Sequence, residues 1–311
     1  MLEGLIWTLQ QIVLAPVHVV QAVINAPSWL AWLAGFERDT PEATLEAKQS
    51  LMRFVYYGAS AELLFVVLVT VAVLTVVGGF KRDFLWGVVR GSEFVLNWIG
   101  RIAAWAGLVM VLQQIMIVFL QRIFRVSEIS IGPFGSAFTK DLSWYSEELK
   151  LYNAMIVCLC VAWTFIQGGH VRVDLVYSAV SHRTKRAIDM AGSLLFMVPA
   201  LVLIWLYSWF FLWRHLIVPN PSASEPLERL EMKARALRWN VETIGFSPNG
   251  FDAYFLFKLL IVLFTATALM QAFVFFWRSW LEFREGELSA GRYLDRDILG
   301  DETAETAAQA H

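Results

Sequence analysis

The sequence predicts an all-α membrane protein, a bundle of four to six transmembrane helices with amphipathic surface helices added. Three observations carry this. Hydrophobic residues make up 58% of the 311 positions and charged residues only 17%, where soluble chains have about 45–50% and about 25%. Several uncharged runs are long enough to cross a hydrocarbon core of about 30 Å at 1.5 Å per residue. The 14 Trp and 23 Phe supply the aromatic bulk that suits lipid contact and interfacial belts.

Four segments are clear spans, at 97–121, 150–168, 187–213 and 253–278. A fifth, 54–79, has Glu62 as its only charge, about nine residues in, which makes Glu62 the best candidate for a buried, paired carboxylate at an inter-subunit contact. Pro199 falls inside the 187–213 span and predicts a kink. Residues 4–36 carry no acidic or basic side chain, but Thr8, Gln11, His18, Gln21 and Asn25 form one polar helical face. That stripe suits an interfacial helix, a helix packed on another subunit, or a sixth span. It does not resemble a cleavable signal peptide, since Glu3 stands where a basic region belongs. The organisation is therefore an N-terminal interfacial or spanning region at 1–53, an extra transmembrane helix at 54–79, a four-helix membrane domain at 80–282, and a polar, disordered cytoplasmic tail at 283–311.

Basic residues set the orientation. Lys81, Arg82 and Arg90 in 80–92, Arg172, Arg183, Lys185 and Arg186 in 169–186, and the arginines of the tail share one side, which is placed in the cytoplasm. Between the spans on the other side, 214–252 contains a start signal at Ser224 and Pro226 and an apolar stripe of Leu227, Leu230, Ala234, Leu237 and Val241. Glu225–Arg229 and Glu231–Arg235 are spaced for i,i+4 pairs on the opposite face. This predicts an amphipathic helix over about 224–241, lying on the outer membrane surface or against a partner.

Several chemistries are disfavoured. A net charge of −2 offers no basic excess for nucleic acid. Cys158 and Cys160 sit within an apolar span, which suits neither a disulfide framework nor a zinc site. Phosphate loops, dinucleotide fingerprints and metalloprotease or hydrolase motifs do not occur, so neither an enzyme nor a cofactor is expected. Paired histidines from facing helices can ligate haem. A haem- or quinone-binding anchor of an oxidoreductase is thus the alternative reading, although His18, His170, His182 and His215 lie at span edges or on the N-terminal helix.

The most distinctive stretch runs from Trp144 to Asp189: WYSEEL, the uncharged run Leu151–Gln167, then GGHVRVD and a basic turn into the next span. Gly168 and Gly169 can release the chain from a helix, and His170, Arg172 and Asp174 crowd the exit. Arg172 is placed to meet a lipid phosphate or a partner's carboxylate, while Asp174 is placed to cap the next segment and balance Arg172 or Arg183. Trp144 and its neighbouring tyrosine fit an interfacial anchor.

In this order of features the chain resembles the small membrane subunit (DctQ-type) of tripartite ATP-independent periplasmic (TRAP) transporters. The resemblance extends over about 93–279 and centres on Trp144, Glu148, Gly169, His170, Val171, Arg172, Val173 and Asp174. It implies a non-enzymatic, accessory scaffold in the bacterial inner membrane, packed beside a large DctM-type membrane subunit that carries substrate and sodium. A periplasmic substrate-binding protein would deliver organic acids to the pair. His170, Arg172, Asp174, Arg183, Trp144, Glu148 and Glu62 are then the candidates for subunit docking or lipid contact. Two features depart from the family pattern: the additional hydrophobic material before residue 80 and the long 214–252 loop.

Overall fold

The structure is a computed structural model and describes residues 2–37, 40–131, 138–168, 180–243 and 249–294. Among these residues, six helices are long and apolar enough to cross a membrane: Glu3–Ile24, Ala61–Phe80, Arg82–Phe124, Leu142–Ile166, His182–Arg214 and Phe255–Glu285. The chain is thus an all-α protein of membrane-spanning character, and among the described residues the only strands form one two-residue and one four-residue β pair between helices.

Helix α1 (Leu2–Ile24) is followed by the short α2 (Ala26–Leu30) and by α3 (Pro41–Tyr57). Thr40 caps α3, its hydroxyl accepting from the Ala43 N–H at 3.2 Å, and Pro41 occupies the first turn, where no N–H is needed. The apolar run expected as one span from 54 is broken. Residues 54–57 finish α3, and α4 (Ala61–Phe80) begins anew behind a Ser60 cap. A side chain at Gly58 would run into the Trp209 ring, so the break is packed against another helix.

The expected loop at 80–92 is absent. Lys81 alone separates α4 from α5 (Arg82–Val118), whose helix continues through a widened turn at Phe119–Phe124 until Arg125 adopts φ 52°. Length explains the difference: 43 helical residues at 1.5 Å each reach roughly 65 Å, about twice a hydrocarbon core. The helix therefore extends well past the apolar stretch that defined it in sequence. The hairpin β1 (Glu128–Ile131) and β2 (Phe138–Asp141) leads into α6 (Leu142–Leu159) and α7 (Val161–Ile166). Two residues past the end of α7, Gly168 adopts φ 77°, the backbone release anticipated there.

Helix α8 (His182–Gly192), capped by Ser181, passes through a widened turn at Ser193–Met197 into α9 (Val198–Arg214). Pro199 cannot donate to the carbonyl of residue 195, and the wide turn at that position absorbs the missing bond. After α9 come strand β3 (Ile217–Val218), α10 (Leu227–Lys233) and strand β4 (Arg238–Trp239). Helix α11 (Phe255–Glu285) then runs through the middle of the bundle and is the most buried of the six long helices. It packs on α5, α6, α8 and α9.

The two ends of the bundle differ. At the basic end, the α4–α5 junction, the start of α8 and the end of α11 converge, as the Arg284 Nη1 bond to Gly79 O (3.1 Å) shows. At the opposite, capped end, α2, α3 and α10 form a small aromatic core with the end of α9: Leu51, Met52 and Val55 meet Trp209, Leu212, Trp213, Leu230, Ala234 and Leu237.

That core corrects the expectation for 224–241. The helix covers only Leu227–Lys233 with one tight turn after it. Leu230, Ala234 and Leu237 are buried as the stripe requires, but Val241 is 40% exposed. The charges pair differently too. Glu225 reaches Lys233, and Glu231 reaches Arg53 of α3 at 2.5 Å, in place of the expected i,i+4 partners. The apolar face is covered by the chain's own α3.

Candidate functional site

Of the residues singled out from sequence, His170, Arg172 and Asp174 lie outside the described residues. Arg183 is exposed in the first turn of α8. Its neighbour Arg186 is the one drawn inward. Arg186 Nη1 donates to Asp189 Oδ2 at 2.9 Å, and Nε lies 2.9 Å from Glu282 Oε2, oriented as an ion pair without a hydrogen bond.

Glu282 belongs to a buried network at the basic end that sequence reasoning missed. Arg278 of α11 donates Nε to Glu93 Oε1 (2.8 Å) and Nη2 to Glu93 Oε2 (2.6 Å), a bidentate clasp onto α5. Its third nitrogen, Nη1, donates to the Arg292 carbonyl at 2.9 Å and lies 3.7 Å from Glu282 Oε1. Glu93 and Glu282 are each 2% exposed and Arg278 6%. The Trp86 ring lies under the guanidinium at 5.3 Å, and its indole N–H donates to Glu285 at 3.1 Å. Three helices, α5, α8 and α11, are thereby pinned by charges that satisfy one another. The clasp joins residues 185 positions apart, so no local pattern announces it. Only the local spacings, i,i+4 for Arg278 and Glu282 and i,i+3 for Arg186 and Asp189, stand in the sequence itself.

At the capped end the WYSEEL residues are occupied internally. Trp144 Nε1 donates to Asp252 Oδ1 at 2.9 Å, and its ring packs on Phe251 and Tyr145. The Phe251 N–H donates to Glu147 Oε2 at 2.9 Å. Glu148 accepts from Gln113 Nε2 at 2.9 Å and from the Tyr152 hydroxyl at 3.1 Å, tying α6 to the C-terminal part of α5. The Trp144 indole N–H, with help from Lys140, holds the Asp252 carboxyl below the usual carboxylate range.

Glu62 is not deep within a span. It sits in the first turn of α4, half-buried, in a cavity of about 510 Å³ shared with Trp7, Gln11, Tyr56 and Phe210. Burial pushes the hydroxyl of nearby Tyr57 above its ordinary value, and the Glu62 charge adds to the effect. Lys258, only 2% exposed, pairs with Glu242, which also lies 3.3 Å from His215 Nε2. No group of three or more His, Cys, Asp or Glu that could hold a metal ion occurs among the described residues.

Long apolar helices, with buried charges consumed in pairs between them, define a polytopic membrane protein built as a braced bundle. Residues 134–225 match the family model of the DctQ component of tripartite ATP-independent periplasmic transporters, so this stretch is similar to a DctQ-type small permease. The match runs from just before β2 through α6, α7, α8 and α9 to the approach of α10. It is narrower than the 93–279 over which the resemblance was read. No curated protein and no solved structure is significantly similar to the chain.

Proposed function

We propose that this chain is the accessory membrane subunit of a sodium-coupled, binding-protein-dependent transporter for organic acids in a bacterial inner membrane. In this role it braces a large transport subunit of the DctM type and carries no substrate itself. One observation supports the scaffold role above others: the Glu93–Arg278–Glu282–Arg186 network ties α5, α8 and α11 together with charges already matched to each other. Carriers instead keep mid-membrane polar groups and broken helices for their substrate and ions. The DctQ-type match over 134–225 supplies the family context.

Docking to the large subunit is assigned to the exit of α7 and the start of α8, where His170, Arg172 and Asp174 precede the exposed Arg183. Trp144 and Glu148 contribute indirectly, by holding α6 in place. The experiment is a pull-down of the tagged chain from its native membrane. A larger polytopic protein should co-purify in stoichiometric amount, and Arg172→Glu should weaken that association or invert the local topology. Undiminished association and correct topology in the Arg172→Glu variant would remove the docking role.

A further inference from the structure

The cavity of about 510 Å³ beside Glu62 lies where α1, α3, α4 and α9 meet, and its size falls within the range of small-ligand pockets. The α3–α4 break shapes it. The Ser60 hydroxyl accepts from the Leu63 N–H at 3.2 Å and so starts α4. The Trp205 and Trp209 indoles donate to the Gly58 and Val55 carbonyls, each at 2.8 Å. The interruption is therefore pinned to α9, with Tyr56 on one side of it and Glu62 on the other, and both line the cavity. Trp7 and Gln11, one turn apart on α1, line it too, with Leu206 and Phe210 of α9.

Acceptors in this wall are unspent. Glu62 is half-buried, and among the described residues no cation and no hydrogen-bond donor engages its carboxylate. Arg53, the nearest basic residue in the sequence, is taken by Glu231 and by the Ser28 carbonyl. Gln11 Oε1 is buried without a hydrogen-bond partner, a state that costs free energy until a donor arrives. Around these oxygens the wall carries the rings of Trp7, Tyr56 and Phe210, and aromatic faces attract cations. A bare metal ion does not suit this wall, since a hard cation such as calcium takes about 6–8 oxygens. A quaternary ammonium would suit the rings but has no N–H to give Gln11. A primary ammonium meets every demand: charge for Glu62, N–H donors for both oxygens, and methylenes for the rings.

We propose that this cavity binds a primary ammonium group, with Glu62 as its counter-ion, Gln11 accepting one N–H, and Trp7, Tyr56 and Phe210 around the adjoining carbons. A free alkylamine and an amine-headed phospholipid share that chemistry. The inference is independent of the chain's transport partner, because it uses α1, α3, α4 and α9 of this chain alone.

The full-length chain is tested in two arms. In the first, native mass spectrometry compares retention of phosphatidylethanolamine and phosphatidylcholine from mixed micelles, since these headgroups differ only in methylation of the nitrogen. In the second, saturation-transfer NMR in lipid-free detergent compares n-butylammonium with tetramethylammonium, cations of equal carbon count. Preference for the primary ammonium in either arm is the expected result, and the arm that shows it identifies the source. Glu62→Gln should lower that binding about tenfold or more, the effect of losing a hydrogen bond to a charged group, and Gln11→Leu roughly threefold. Ala61→Leu fills the cavity from an exposed first-turn position without changing charge, so it tests the site even if another variant fails to fold. It should lower binding too, whereas Glu228→Gln, at an exposed carboxylate on α10, should not. No preference for the primary ammonium in both arms, undiminished binding in Glu62→Gln or Ala61→Leu, or equal loss in Glu228→Gln would each overturn the proposal.

Discussion

Glu93 and Arg278 show how much of this molecule rests on single residues. Removing one partner of a buried pair strands the other charge, at a cost of about 3–5 kcal/mol. Glu93→Ala or Arg278→Ala should therefore lower the thermal unfolding temperature in detergent sharply. The double variant Glu93→Leu with Arg278→Met should recover most of that loss, because an apolar pair of similar volume leaves no charge behind. Equal damage from single and double variants would show that the pair is not the source of the stability. Asp252 gives a pH-dependent counterpart. Its carboxyl is held below its unfolded value by the Trp144 N–H, so the contact contributes fully above about pH 4 and is lost as acid protonates it below that range. Hydrogen exchange over residues 142–149 should accelerate on such acidification in the natural protein. In Asp252→Asn that acid-dependent step should disappear. Individual roles were the least legible level of the sequence. Glu62 looked deep because the run from 54 is unbroken in composition, and only the Gly58 contact with Trp209 reveals the break that places it in a first turn.

Helices were far more legible than their ends. The uncharged runs located α4, α6, α9 and α11 and the spanning part of α5, because lipid admits few charges at any register. Boundaries shifted where helices continue into polar sequence: α5 starts at Arg82 and α8 at His182, both ahead of the apolar segment. The stripe at 227–241 correctly named the buried residues Leu230, Ala234 and Leu237 but not what covers them. The cover is α3, contributed from the other departure from the family pattern, so the additional N-terminal region and the long loop fold as each other's partners. Met52→Ala and Leu230→Ala should each destabilise by about 2–5 kcal/mol. Because both side chains belong to one cluster, a double-mutant cycle should show coupling of about 0.5–3 kcal/mol. Strict additivity in that cycle would mean that α3 and α10 stabilise the protein independently.

At the scale of the whole molecule, the chain is a bundle whose central helix, α11, is gripped at the basic end by Arg278 and at the capped end by Lys258. Matched charges at both ends of one buried helix make a rigid element, suited to steadying a neighbour that moves. The fold class was open to sequence reasoning because bilayer thickness imposes it on composition. The ionic grip was not, since it depends on which helices become neighbours. The most direct test is uptake of a labelled organic acid into liposomes that contain this chain alone, under an inward sodium gradient. No accumulation above empty vesicles is the expected result, and sodium-dependent accumulation by the isolated chain would contradict the account.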